Sequence, residues 1–225
     1  MEGFDLCIRT KKDLVDAVGR FGFVPLFRNS IPGFSVEEHV APEAWFSSDE
    51  GVWEWKGQVI RESGCAYGKF FESKAAFVSR EWFTELANYR RDGYDFDARY
   101  DEGLAPYRDM ELFGLIDENA PILSRGLKNI GNYRKGGKKG FDGVIARLQA
   151  QFYVVISDFV YETDAHGNRY GWGVSEYSTP EKLFGADFTE NVYAREPEES
   201  YRIVLGHLRK LLPWAEEAAI KRLLR

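Results

Sequence analysis

Seven basic residues fall between Arg125 and Arg147 (Arg125, Lys128, Arg134, Lys135, Lys138, Lys139 and Arg147), against one acid, Asp142. That segment carries +6 in a chain whose net charge is −6, which leaves −12 for the remainder. Lysines and arginines set among Gly136, Gly137 and Gly140 suit phosphate binding. The glycines let backbone N–H groups come close, and the long side chains attract at a distance. Arg134, Lys135, Lys138, Lys139 and Arg147 are the expected DNA contacts; the other reading is a solvated loop. A second candidate surface holds His166, Asn168, Arg169, Tyr170 and Trp172, which could reach a minor groove or stack on an unpaired base. The alternation of Tyr170, Trp172 and Val174 with Gly171 and Gly173 favours a different outcome for Trp172, a buried hairpin face.

Aromatic residues are the other resource, with 17 Phe, 12 Tyr and 6 Trp making 16% of the chain. Trp45, Trp53, Trp55, Tyr67, Trp82 and Tyr94 could wall a pocket for a flat ligand such as an extruded base. Lys56, Lys69, Arg90 and Arg91 are interleaved with them and could hold phosphates. Asp95, Asp97 and Asp158 are the carboxylates nearest in sequence to such a site. The reading preferred for these aromatics is a dense core with Lys and Arg at its rim.

Many chemistries are excluded by motif. There is no HExxH or CxxC, and His39, His166 and His207 are the only histidines, so no metal site and no cofactor is expected. Two cysteines far apart, Cys7 and Cys65, make no disulfide framework. No run approaches the ~18–20 apolar residues needed to span a bilayer. The acidic start, Glu2 and Asp5, is unlike a signal peptide, so a cytoplasmic location is expected, with no membrane partner.

The elements that must position these residues can be read in order. Thr10 should cap a helix ending near Gly19 or Gly22. Residues 23–64 read as loops, with short strands or helical turns at 52–55 and 66–71. Ser79 should cap a helix to Arg91, followed by an irregular aromatic–acidic linker over 94–103. Helices are expected at 108–118, from a Ser124 cap to Gly131, and at 141–149, where Phe141, Val144, Ile145 and Leu148 share a face. Strands at 152–161 and 169–177 then flank a turn containing Gly167 and Asn168. Three helices followed by a hairpin is the order of a winged helix-turn-helix. A Thr179-Pro180 start leads to an amphipathic helix over 198–212 and a short one after Pro213. The expected fold is α+β: an aromatic-rich N-terminal α+β segment (1–104), a winged-helix-like module (105–178) and C-terminal helices (179–225).

The whole chain resembles a group of short bacterial proteins called AlkZ-related, and more loosely the AlkZ/YcaQ DNA glycosylases. The resemblance lies in Ile31-Pro32-Gly33-Phe34-Ser35, Val52-Trp53-Glu54-Trp55-Lys56-Gly57, Cys65-Ala66-Tyr67-Gly68-Lys69-Phe70-Phe71, Asn88 to Asp97, and Ile156-Ser157-Asp158-Phe159. Those glycosylases combine winged-helix modules with a β-barrel and use a Gln-x-Gln or Gln-x-Asp motif. Gln149-Ala150-Gln151 is similar to that motif. The resemblance implies that Gln149 and Gln151 would orient a water and stabilise a sugar cation as the base leaves. The same glutamines can simply end an amphipathic helix. Three functions stay open: a DNA-associated winged-helix protein without catalysis, a module binding a protein or small ligand, and an active alkylbase glycosylase.

Overall fold

A computed structural model of the chain describes residues 4–45, 50–167 and 169–225. The protein is mixed α+β, built on a six-stranded antiparallel sheet in the order β1-β3-β2-β5-β6-β4. The first helix, α1 (Lys11–Phe21), begins at a Thr10–Asp13 capping box and stops at Gly22. Strand β1 (Phe23–Pro25) follows, and then the short α2 (Pro42–Trp45).

The first departure from the sequence reading is α3 (Val52–Ser63), twelve residues of helix where a short strand or a helical turn at 52–55 followed by loop was expected. Val52, Trp55, Lys56, Val59 and Ile60 form its buried face. The periodicity is helical, but a lysine occupies one core position and masks it. Strands β2 (Ala66–Phe71) and β3 (Lys74–Val78) form a hairpin. Its turn residues, Glu72 and Ser73, both have positive φ (48° and 58°), a conformation that their side chains do not advertise.

Helix α4 (Arg80–Arg91) runs as expected from Ser79, although that serine's side chain makes no capping bond. The expected linker after it contains α5 (Phe96–Asp101). Asp95 caps this helix, its carboxylate accepting from the Ala98 N–H at 2.8 Å.

Helix α6 (Tyr107–Asn119) ends before the cis Ala120–Pro121 peptide. Two residues, β4 (Ile122–Leu123), then pair with the far strand of the later hairpin, Ile122 opposite Tyr177 and Leu123 opposite Glu176. Leu123, not Ser124, therefore stands at the N-cap of α7 (Ser124–Ile130). Helix α8 (Phe141–Ala150) buries Phe141, Val144, Ile145 and Leu148 as its pattern predicts.

Strand β5 (Val155–Thr163) begins three residues later than expected, because Phe152 takes φ +64° inside the core. Strand β6 (Arg169–Ser178) completes the hairpin. The face expected to be buried there is not: Trp172 is 74% exposed and Tyr170 56%. The outer half of the hairpin projects beyond the core, so alternation no longer reports burial. Asn168 lies outside the described residues.

The chain closes with α9 (Pro180–Phe184), α10 (Ala186–Asn191), α11 (Pro197–Leu211) and α12 (Glu217–Leu223). Helix α11 packs on α4, with Asn88 Nδ2 donating to Ser200 Oγ at 2.9 Å and Ser200 Oγ donating to Glu85 at 2.6 Å. The aromatic residues largely form the core, as in the stack of Phe70 on Phe152 at 4.8 Å, flanked by Phe83. The sheet crosses from the N-terminal segment into the second half where Tyr67 of β2 pairs with Ile156 of β5.

Candidate functional site

The basic segment is partly neutralised where it sits. Arg147 makes a two-pronged bond to buried Asp109 on α6, at 2.6 and 3.0 Å. Lys138 reaches Glu111 on the same helix at 2.5 Å. Lys128 lies 3.7 Å from Asp142, and Arg125 pairs with Glu162 on β5. Arg134 donates to the Arg125 carbonyl at 3.4 Å, while Lys135 and Lys139 are exposed and meet no carboxylate among the described residues.

These contacts bring the turn and the hairpin together. Arg134 touches the backbone of Arg125, Arg125 pairs with Glu162, and Glu162 faces Tyr170 across the ladder. Arg169 sits one step further toward the tip, with Glu50 at 4.0 Å and the Tyr161 ring at 5.5 Å. His166 is exposed in the turn, where its backbone N–H donates to Asp164. The outward face of α8 offers little more, since Asp142, Gly143, Ala146 and Arg147 make it up and both of its charged groups are paired.

Gln149 and Gln151 occupy different settings. Gln149 is 1% exposed, and its Oε1 accepts the backbone N–H of Lys69 at 3.1 Å, tying α8 to β2. Its Nε2 is buried without a partner among the described residues, as is Gln151 Oε1 at the end of the helix. Arg90 comes to the next residue of β2, its Nη2 at 3.5 Å from the Phe70 carbonyl, with Nε also buried and unpartnered. Burial lowers the Arg90 pKa. Lys69, Arg90 and Gln149, far apart in sequence, thus gather along two residues of one strand. The Lys69 side chain itself is exposed.

The expected aromatic pocket divides in two. Asp95 and Asp97 line a cavity of about 350 Å³ with Phe96, Phe113, Asp117, Tyr153, Glu181 and Arg91. Arg91 is 1% exposed and holds the Phe152 carbonyl through Nε (3.3 Å) and Nη2 (2.8 Å), and Glu181 (2.6 Å) and the Tyr193 hydroxyl (3.0 Å) through Nη1. The Tyr94 carbonyl accepts from both Tyr153 and Tyr193 beside it. Trp53, Trp55 and Tyr67 lie elsewhere, around α3 and β2. Trp55 and Tyr67 are buried, and burial pushes the Tyr67 hydroxyl pKa up.

A family model described as AlkZ related matches residues 8–225. The chain belongs to the AlkZ-related family. Neither the curated proteins nor the solved structures gave a match. Among the described residues of this AlkZ-related chain, no helix is long and apolar enough to cross a membrane. No group of three His, Cys, Asp or Glu among them is placed to hold a metal ion.

The AlkZ-related chain also holds a site that sequence reasoning assigned differently. Lys56, read from sequence either as a phosphate contact or as the rim of an aromatic core, is 8% exposed inside α3's buried face. Its Nζ lies 4.3 Å from the centroids of both the Trp53 and Phe159 rings. Burial lowers its pKa from 10.5 to about 8, against a weaker upward pull from Glu54. The signal that could have found it is the i, i+3, i+4, i+7 series through Val52, Trp55, Lys56 and Val59.

Proposed function

We propose that this AlkZ-related chain is a DNA-associated, repair-related protein that grips the phosphate backbone through a winged helix and does not itself excise bases. The winged helix would comprise α6, β4, α7, α8, β5 and β6, in the unit 105–178 between the aromatic-rich segment 1–104 and the C-terminal helices 179–225. Support for that reading comes from the helix order and from β4 pairing with β6, the far strand of the hairpin.

The observation that carries the proposal is the chain of contacts from Arg134 through Arg125 and Glu162 to the hairpin. It ties Arg134 to the hairpin at the Glu162–Tyr170 rung; Lys135 and Lys139 would extend the phosphate contacts from the same turn, and Arg169, Tyr170 and Trp172 from the wing. With the charges of α8 paired, no long side chain on that helix is left for base edges, which favours binding indifferent to sequence. Gln149 supports the absence of excision, since its carbonyl oxygen already serves Lys69 and the residue is buried.

Mobility shift on duplex DNA over a salt series tests the reading. Three uncompensated cations should give a slope of log K against log[salt] of about −3. Replacing Arg134, Lys135 and Lys139 together by Gln should abolish the shift, whereas Lys138→Gln should weaken it little. Binding that ignores salt would defeat the proposal. The four carboxylate pairings in the basic segment favour a second reading, a protein partner on the same face. Absent DNA binding together with an intact fold would select it.

A further inference from the structure

Trp172 is 74% exposed, and the backbone around it explains why. Between the rungs Val160–Val174 and Glu162–Tyr170, β5 contributes one residue, Tyr161, while β6 contributes three, Gly171, Trp172 and Gly173. The surplus makes a bulge, a feature that re-aims a side chain out of the regular pleat. Both glycines beside Trp172 are needed there. Gly171 takes φ +71°, which a side chain disfavours, and a Cβ at Gly173 would lie 2.8 Å from the Tyr161 ring. Together they allow the strand to turn the indole outward.

The ring is exposed but propped. Trp172 meets Trp53 at 6.1 Å and 75°, edge to face, which supports it on one side and leaves the rest open. Trp53 is itself held by Trp45 at 5.9 Å, Phe27 at 6.1 Å and the Lys56 ammonium at 4.3 Å. The Tyr161 hydroxyl donates to its carbonyl. Next to the bulge, between the start of α3 and the hairpin, lies a cavity of about 510 Å³ lined by Glu50, Glu54, Tyr161, Arg169 and Tyr170. Arg169 stands 5.5 Å over the Tyr161 ring and 4.0 Å from Glu50, and Tyr170 is 56% exposed.

This arrangement suits a flat ligand with N–H groups on its edge and a negative charge on its tether. Ring faces take the flat body. Glu50 and Glu54 accept from N–H donors but repel phosphate, which turns the backbone outward toward Arg169 and the cationic turn. Bases of a single strand combine these properties, whereas in a duplex the faces are stacked and the N–H edges paired. An apolar peptide would leave Glu50, Glu54 and Arg169 unmatched.

We propose that Trp172 and Tyr170 form a ledge on which unpaired bases of single-stranded DNA stack, so that the protein prefers duplex with an adjoining unpaired stretch over intact duplex. The inference deepens the DNA reading and rests on it for the cations that hold the backbone.

Fluorescence anisotropy with the full chain compares a blunt duplex with the same duplex carrying an overhang of about ten thymidines. Stacking should make the overhang bind at least about five-fold tighter than the blunt duplex. Trp172→Ala should bring that ratio to about one while the salt slope stays as in the wild type, because stacking releases no counter-ion. Trp172→Phe should keep part of the preference. A 5-iodouracil in the overhang should cross-link on irradiation to Trp172 or Tyr170, read by mass spectrometry in the wild type without any variant. An overhang bound no tighter than the blunt duplex, or a preference that survives Trp172→Ala, would overturn the ledge and leave the DNA reading standing. Binding of the overhang without the blunt duplex would uphold the ledge and count against the grip of Arg134, Lys135 and Lys139 on duplex. Binding of neither would overturn both.

Discussion

Replacing Lys56 by Met should stabilise the protein at neutral pH. The pKa of Lys56 is lowered from 10.5 to about 8 in the folded chain. Below pH 8 the folded and unfolded states both hold the proton, and the folded state bears the full cost of the buried ammonium. Between pH 8 and 10.5 the folded state releases it first, so stability rises with pH; it is lost again as pH falls through 8. A shift of about 2.5 units corresponds to ~3.4 kcal/mol at most. The two ring faces return ~1–2 kcal/mol to the charged form. Lys56→Met, close in length and favourable beside aromatic rings, should therefore gain ~1.4–2.4 kcal/mol at pH 7, or roughly 3–10 °C in Tm. Urea unfolding of both proteins at pH 7.5 and 9.5 isolates the effect. The wild type should gain ~1–2 kcal/mol on the variant over that interval. A variant less stable at pH 7, or a gap that does not narrow as pH rises, would refute the account of Lys56.

Three other substitutions probe the remaining features. Gln149→Ala should cost ~1–3 kcal/mol by stranding the Lys69 N–H; denaturant midpoints measure it, and an abasic-site assay on alkylated DNA should find no activity in either protein. Arg91→Met should cost ~3–5 kcal/mol, because Glu181, Tyr193 and the Phe152 carbonyl lose their donor. A loss under 1 kcal/mol by thermal melting would contradict that. Gly22→Ala should cost at least ~2 kcal/mol, since φ is +77° and the added Cβ would overlap the Trp82 ring, itself held in a stack on His207 at 3.9 Å. Refolding yield and Tm report it, and near-neutral behaviour would mean that Trp82 is free to move.

Legibility in the sequence followed the strength of local signals. Helices α6 and α8 and the β5–β6 hairpin could be read because their apolar spacing and turn glycines are unambiguous. Helix α3 could not, because Lys56 stands where an apolar residue belongs. The β2–β3 hairpin was hidden by a turn made of Glu72 and Ser73, and β4 by being two residues long. The concentration of charge in 125–147 was visible, but its compensation was not. Asp109 and Glu111 lie on α6, 38 and 27 residues from the bases they hold, and only tertiary packing brings them in. Gln149 likewise joins Lys69 across 80 residues.

The sheet itself has a narrow waist. Strands β1, β3 and β2 form one ladder and β5, β6 and β4 another, and the described pairing between them is the single rung from Tyr67 to Ile156. Gln149 and its bond to Lys69 brace that rung from α8. A seam held by so little pairing is where the sheet is expected to part first, leaving two cooperative blocks. Under mild denaturant, amide protons on either side should exchange as two populations rather than one, and loosening the brace should separate them further.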